Sequence, residues 1–400
     1  MFSKRLEWDL PANRISEALA ARRASGARVL DLTESNPTAA GFDYPAAQIL
    51  DAFADPAALL YEPASAGLWK ARQAAAAYYA ARDVQVSPDR ILIAASTSEA
   101  YAFIFKLLAG PGDQILAPRP SYPLFEFLAR LESVEVVHYP LIYDHGWIID
   151  FERLAEAAGP RARAVVVVNP NNPTGSYVKR EELEQLVEFC ARRDLAILSD
   201  EVFSDYPLRP DPRRAETLAT AGGALTFCLS GLSKICGLPQ MKLAWIVVNG
   251  PRPLAQEAFP RLELVADTYL SVGAPVQHAL PKLLTIGRLV RDQILRRTAA
   301  NLAGLRAALG GRSACQALEV EGGWYAVLRV PRVLTEEEWT LTLLEQDGVL
   351  VQPGFFFDFE SEAYLVVSLL THPETFREGI ARLARRVANQ STEQFRGQAT

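Results

Sequence analysis

The chain has 400 residues, of which half are hydrophobic and 22% charged, and it carries a net charge of −6. That length suits a large α/β domain with a smaller companion, and the acidic balance excludes a general attraction to nucleic acid or to an anionic membrane. No apolar run approaches the roughly 18 residues of a membrane span, and the start, MFSKRLEWDLPANRISEALAARR, has no apolar leader core, so a cytoplasmic protein is expected. Cys190, Cys228, Cys236 and Cys315 form no CxxC pair and read as free thiols of a reducing compartment. His138, His145, His278 and His372 are scattered without metal-ligand spacing, so no metal is expected.

In chain order, residues 12–26 predict an amphipathic helix, and RVLDLTESNPT (28–38) a strand entering an extended loop. From about residue 90, seven short apolar runs predict strands: 91–96, 114–119, 134–141, 163–169, 195–201, 225–230 and 243–248. Helical patterns such as SEAYAFIFKLLAG, SYPLFEFLARLE and REELEQLVEFCARRD separate several of them. Strands without polar alternation, separated by helices, predict an α/β fold with a mainly parallel seven-stranded sheet sandwiched by helices. A long helix is expected over about 276–308, then a smaller α+β piece with strands at 322–330 and 363–370. The expected division is 1–45 as an N-terminal arm and part of the small domain, and 46–290 as the large domain. Residues 291–390 complete the small domain, built from both chain ends, and 391–400 form a polar, frayed tail.

Functional groups in such sheets gather at the carboxyl ends of strands. AAST, PSY, NPNN, SDEV and SGLSK all fall at or just after such ends. In CLSGLSKICGLPQMKLAWIVV (228–248), one lysine, Lys234, stands between two apolar strands. A surface lysine needs no such setting, whereas one that forms a Schiff base does. Asp200 ends the apolar run LAILSD and delivers a carboxylate to the same edge. The NPNNPTG turn (169–175) supplies the amides of Asn171 and Asn172. Ser96, Thr97 and Ser98 sit between a strand end and a helix start, where hydroxyls and free backbone N–H groups make an anion site.

In their order and spacing, NPNNPTG, SDE and LSK…GLP resemble the fold-type I pyridoxal-phosphate enzymes of the class I/II aminotransferase group, over nearly the whole chain. The resemblance implies pyridoxal 5'-phosphate held on Lys234 as a Schiff base, with Lys234 then shuttling the α-proton. It implies that Asp200 pairs with the pyridinium nitrogen, Asn172 contacts the 3-oxygen and orients substrate, and Tyr122 lies against the ring. Ser96, Thr97, Ser98, Ser233 and Lys242 would surround the phosphate, joined by Tyr61 of a neighbouring subunit, which implies a homodimer with shared sites. Ser35 and Asn36, in LTESNPT, would approach the substrate side chain.

The chain departs from that pattern at three places. Phe203 stands three residues after Asp200, where the family usually has a tyrosine, so the Schiff base is expected to keep its proton to higher pH; Tyr206 is a nearby phenol. Lys242 stands eight residues after Lys234 in place of an arginine, and Gln240 or Met241 replaces the glycine before it. Val366, beside Val367, occupies the position of the arginine that clamps the substrate carboxylate. Either another cation holds that carboxylate, with Arg119, Lys70 and Arg209 as candidates, or the amine carries none, or the strand is buried with the site elsewhere.

The reading that follows is a dimeric aminotransferase of amino-acid metabolism, moving an amino group from an amino acid or amine to a 2-oxo acid by ping-pong kinetics. A lyase or decarboxylase using the same electron sink is the nearest alternative, and a non-catalytic ligand-binding scaffold of the same fold the second.

Overall fold

The computed structural model describes residues 2–8, 13–311, 313–361 and 363–397, with residues 391–397 described by backbone alone. All seven expected strands of the large sheet are present, and a short hairpin strand adds an eighth. In chain order they are β1 (Ile91–Ala94), β2 (Gln114–Arg119), β3 (Glu135–Tyr143), β4 (Trp147–Ile149), β5 (Ala162–Val168), β6 (Ala196–Asp200), β7 (Thr226–Gly231) and β8 (Ala244–Asn249). They lie in the order β1-β8-β7-β6-β5-β2-β3-β4. Pairing is parallel from β7 through β6, β5 and β2 to β3, while β8 runs antiparallel between β1 and β7, and β4 antiparallel to β3.

The strands are apolar on both sides because both faces are covered. Leu92, Val166, Leu198 and Leu229 face one core, with the helices Thr97–Leu108 and Arg252–Tyr269. Ile91, Ile93, Trp245 and Val247 face the helices Trp69–Ala80 and Ala274–Ala308, and Val165, Val167 and Ile197 face Arg180–Arg193. Period-2 alternation therefore separates two buried faces rather than core from solvent, so no polar stripe shows in the sequence.

The Ala274–Ala308 helix, 35 residues and about 50 Å long, packs Leu280 and Leu283 against the large sheet, and Leu302 and Leu305 against a second core. That core lies on a four-stranded antiparallel sheet of β9 (Gln316–Ala317), β10 (Tyr325–Arg329), β11 (Gln352–Pro353) and β12 (Tyr364–Ser368), in the order β9-β10-β12-β11. Leu30 and Asp31 pair in parallel with Val349 and Leu350, and Leu30 and Leu32 enter the same core, so both ends of the chain build it. The expected tail has helical backbone as far as Gly397; residues 398–400 lie outside the described residues.

Candidate active site

The topology gathers one edge. Strands β5, β6 and β7 end there at Val168, Asp200 and Gly231, and β1 runs the same way, so the Ser96 turn joins them. Because β8 is antiparallel, it begins at this edge, and Ala244 pairs with both Ala94 and Gly231. Lys242, two residues earlier, is thereby placed beside the Ser96 turn. A cavity of about 320 Å³ opens at this edge, lined by Ser35, Ser96, Thr97, Ser98, Tyr122, Asn172, Asp200, Phe203, Ser233, Lys234 and Lys242. Eleven of the thirteen residues expected at the site thus surround one space.

Lys234 sits in a four-residue helical turn, Leu232–Ile235, directly after β7. Gly231 at its start is required by close approach: a Cβ there would lie 2.7 Å from the Cα of Ala244. Among the described residues no hydrogen bond is made by the Lys234 Nζ; the amine lies 5.2 Å from the centroid of the Trp324 ring and 5.7 Å from that of Phe203. Burial lowers its pKa, opposed by the Asp200 charge.

Asp200 accepts hydrogen bonds from the Val202 N–H (3.1 Å) and the Tyr101 hydroxyl (3.2 Å). Burial pushes its carboxyl up to about 6, against those two bonds. Tyr101 was not anticipated, yet it lies one turn after Thr97 on the same helix face, and i, i+4 spacing could have found it.

Ser96 caps the Thr97–Leu108 helix, its hydroxyl accepting from the Glu99 N–H at 3.1 Å. The first N–H groups of that helix and the Lys242 ammonium face the same end of the cavity, an arrangement suited to an anion. Lys242 holds a left-handed backbone (φ 51°), uncommon for a side chain without local bonding and typical of constrained functional positions.

Several expected roles are not served by this cavity. Asn36 lies away from it, because its Oδ1 is taken by the N–H and hydroxyl of Thr38 (3.0 and 2.7 Å) in a local turn. Tyr61 is 85% exposed and borders a separate surface groove with Leu270 and Ala274. Tyr206 donates its hydroxyl to the Lys234 carbonyl at 2.5 Å and does not line the cavity. Arg119 is bonded to the Asp358 carbonyl (2.8 Å) and lies 3.7 Å from Glu360; Lys70 pairs with Asp55 (2.9 Å), and Arg209 with Glu319 (3.0 Å) and Glu321 (3.4 Å). None of the three reaches the cavity. Val366 is buried in an apolar cluster with Trp147, Leu318, Val327 and Phe357. Tyr325, unanticipated, packs against that cluster and reaches the cavity, which Ser35 also lines.

Fold and cavity together define a class: α/β enzymes that keep a buried amine and a buried carboxylate at the carboxyl edge of a mainly parallel sheet. The family described as aminotransferase class I and II matches residues 27–383, and the chain belongs to that family. It is 28% identical to the glutamate-pyruvate aminotransferase AlaA of Haemophilus influenzae, over 90% of this chain and 91% of that protein. It is 34% identical to the AlaA of Escherichia coli over 261 residues, 65% of this chain and 64% of that protein. Among solved structures, an aminotransferase from Escherichia coli superposes with a TM-score of 0.84 at 26% identity, covering 97% of this chain and 98% of that one. The chain is therefore an aminotransferase, an enzyme of amino-group transfer between amino and 2-oxo acids.

The family implies pyridoxal phosphate, and the residues present fit it. The Asn172 Oδ1 is buried at the cavity wall with no hydrogen-bond partner, and Asp200 presents a carboxylate there with no cation bonded to it. The first calls for a hydrogen-bond donor on a bound group or on a substrate joined to it, and the second for a protonated ring nitrogen. Among the described residues no helix is long and apolar enough to cross a membrane, and no group of three or more His, Cys, Asp or Glu could hold a metal.

Proposed function

We propose that this enzyme transfers amino groups on pyridoxal phosphate attached to Lys234. The observation that carries the proposal is the convergence of Lys234, Asp200 and Asn172 on one cavity that also faces a helix N-terminus. Bound there, the cofactor supplies an electron sink for the carbanion formed at the substrate α-carbon. The protein's part is to bind, orient and move one proton. Lys234, its pKa lowered by burial, gives up its proton more readily than a surface lysine, and as a free amine can attack a carbonyl and then carry the α-proton. Asp200 accepts a hydrogen bond from the ring nitrogen and keeps it charged, with Tyr101 holding the carboxylate in place. Asn172 binds the ring oxygen, Tyr122 covers the ring, and Ser96, Thr97, Ser98, Ser233 and Lys242 bind the phosphate.

A homodimer with shared sites completes this reading. It is supported by the exposure of Leu59, Leu60, Tyr61, Leu264 and Tyr269, large apolar side chains that a second copy would cover, with Tyr61 reaching the partner's phosphate site. The four buried free cysteines support a reducing compartment such as the cytoplasm. The glutamate and pyruvate named for the relatives are the donor and acceptor to assay first, with alanine and 2-oxoglutarate as the reverse pair. Cofactor-dependent transfer with parallel-line kinetics, lost in Lys234→Ala, supports the proposal. Release of ammonia or carbon dioxide without transfer overturns it in favour of a lyase or decarboxylase.

A further inference from the structure

One end of the cavity is not used by the groups assigned above. Lys234 and Lys242 are the cationic side chains among its described lining residues. Lys234 supplies the reacting amine, and Lys242 lies with the Ser96 turn, since Ala244 pairs with Ala94. The end formed by Ser35 and Tyr325 offers hydroxyls, the Tyr325 ring lying 6.4 Å from that of Phe203. Behind Tyr325 the wall is apolar: Val327, Val366, Phe357 and Trp147 pack together, with Val327 paired to Val366 in register. Arg297, a basic side chain near this wall, gives its guanidinium to the carbonyls of Ala40 (3.0 Å) and Leu370 (3.1 Å), covers the Phe42 ring and does not line the cavity.

A carboxylate bound at that end would lose water and gain no cation. Hydroxyl donors alone replace only part of an anion's hydration, whereas a neutral hydroxyl or amide gives up far less on entering. An uncharged polar group also matches what is offered, because each hydroxyl both donates and accepts.

We propose that Ser35 and Tyr325 bind, beside the reacting carbon, an uncharged hydroxyl or carboxamide in preference to a carboxylate, so that amino alcohols and amino-acid amides are better donors than the parent amino acids. The inference rests on the aminotransferase reading and adds a substrate class to it. The donor loses its nitrogen and gains a carbonyl oxygen from water, becoming a hydroxy ketone or a 2-oxo amide; the nitrogen and two electrons pass to a 2-oxo acceptor. Transfer between amino acids and 2-oxo acids still runs through this cavity, at lower kcat/KM.

The test uses three donors that differ at one group, L-alanine, L-alaninamide and L-alaninol, on the protein loaded with pyridoxal phosphate, with concentrations corrected for the free-amine fraction. Half-reaction rates are followed through the cofactor absorbance. Dissociation constants are measured in parallel on loaded Lys234→Ala, where binding is read without turnover. The expected result is at least a tenfold advantage for the amide and the alcohol over L-alanine in both measurements. Ser35→Ala and Tyr325→Phe should lower that ratio toward one, the amide and the alcohol losing more than L-alanine; a merely structural role would move all three donors alike. A preference for L-alanine in both measurements overturns the inference and means that a cation enters from Arg297 or from a second subunit. Absence of any cofactor absorbance, or conversion of none of the donors, overturns instead the reading on which the inference rests.

Discussion

The Nζ of Lys234 lies 5.2 Å from the centre of the Trp324 ring and bonds to no acid among the described residues. A lysine held over aromatic faces rather than in an ion pair gains some cation–π stabilisation, but burial still lowers its pKa. The neutral, nucleophilic form is therefore populated at lower pH than in a surface lysine. Trp324 joins β10 to the site: its ring packs at 5.1 Å on Phe203, so the small sheet forms part of the wall around the amine.

Replacing Lys234 by alanine should leave the fold intact, because the side chain makes no hydrogen bond that the Leu232–Ile235 turn needs. Transfer should fall by roughly 10³-fold or more, since both the attachment and the proton carrier are lost. Steady-state rates beside a thermal melt separate the two effects, and a melt well below wild type would give the lysine a structural role as well.

Asp200→Asn should act in opposite directions on the cofactor-free and the loaded protein. Burial raises the Asp200 pKa from 3.8 to about 6, so the folded, cofactor-free chain keeps a proton that the unfolded chain releases. The stability this proton contributes is complete below about pH 4 and is lost as pH rises through 6, a difference of roughly 3 kcal/mol at most. The asparagine variant, which does not titrate, should melt higher than wild type at pH 7.5 in the cofactor-free state, and its melting point should change less between pH 4 and 6. Loaded, it should transfer about 10²-fold more slowly, because the ring nitrogen loses its anionic partner. A lower melt at pH 7.5 without cofactor would show that the charge is already compensated.

Phe203 places an apolar edge where a phenol would offer a hydrogen-bond donor. Introducing one as Phe203→Tyr should shift the pH midpoint of the loaded protein's absorbance to lower pH, because the phenol competes with the imine proton for the ring oxygen. An unchanged midpoint would mean that residue 203 does not approach that oxygen.

Lys242→Ala should weaken pyridoxal phosphate binding by about 10- to 100-fold, the range for loss of a charged hydrogen bond. Pyridoxal without the phosphate should bind the variant and wild type alike. Equal weakening of both ligands would place Lys242 away from the phosphate.

Tyr61 is 85% exposed on its own chain, so its effect should be exerted across an interface. Tyr61→Ala and Lys234→Ala should each be impaired alone, but when dissociated together and reassociated they should recover up to about a quarter of wild-type sites, since each mixed dimer holds one intact site. No recovery from a mixture shown to exchange subunits would remove Tyr61 from a shared site.

Most of the large sheet was legible in the sequence because its signals are local. Strings such as AVVVV and LAILSD mark strands covered on both faces, and the residues immediately after them lie at one edge, which brought Lys234, Asp200, Asn172 and the Ser96 turn into view together. Strand β4, with three residues, carried too short a pattern to separate from its hairpin. The left-handed Lys242 backbone and the burial that moves Asp200 are likewise absent from any local pattern.

By itself the sequence determined the sheet, the edge where the candidate site residues gather and the family, because strand periodicity and strand-end motifs are encoded within a few residues of one another. Only the tertiary structure decided what completes the cavity. Tyr325 and Ser35, which line it, and Trp324, which lies beside the Lys234 amine, come from the small sheet, the turn before it and the N-terminal segment, hundreds of residues apart in the chain. Whether Arg119, Lys70 or Arg209 reached the substrate was equally a matter of packing: each cation is held by partners outside the cavity, and a charge acts only where its side chain is free to point.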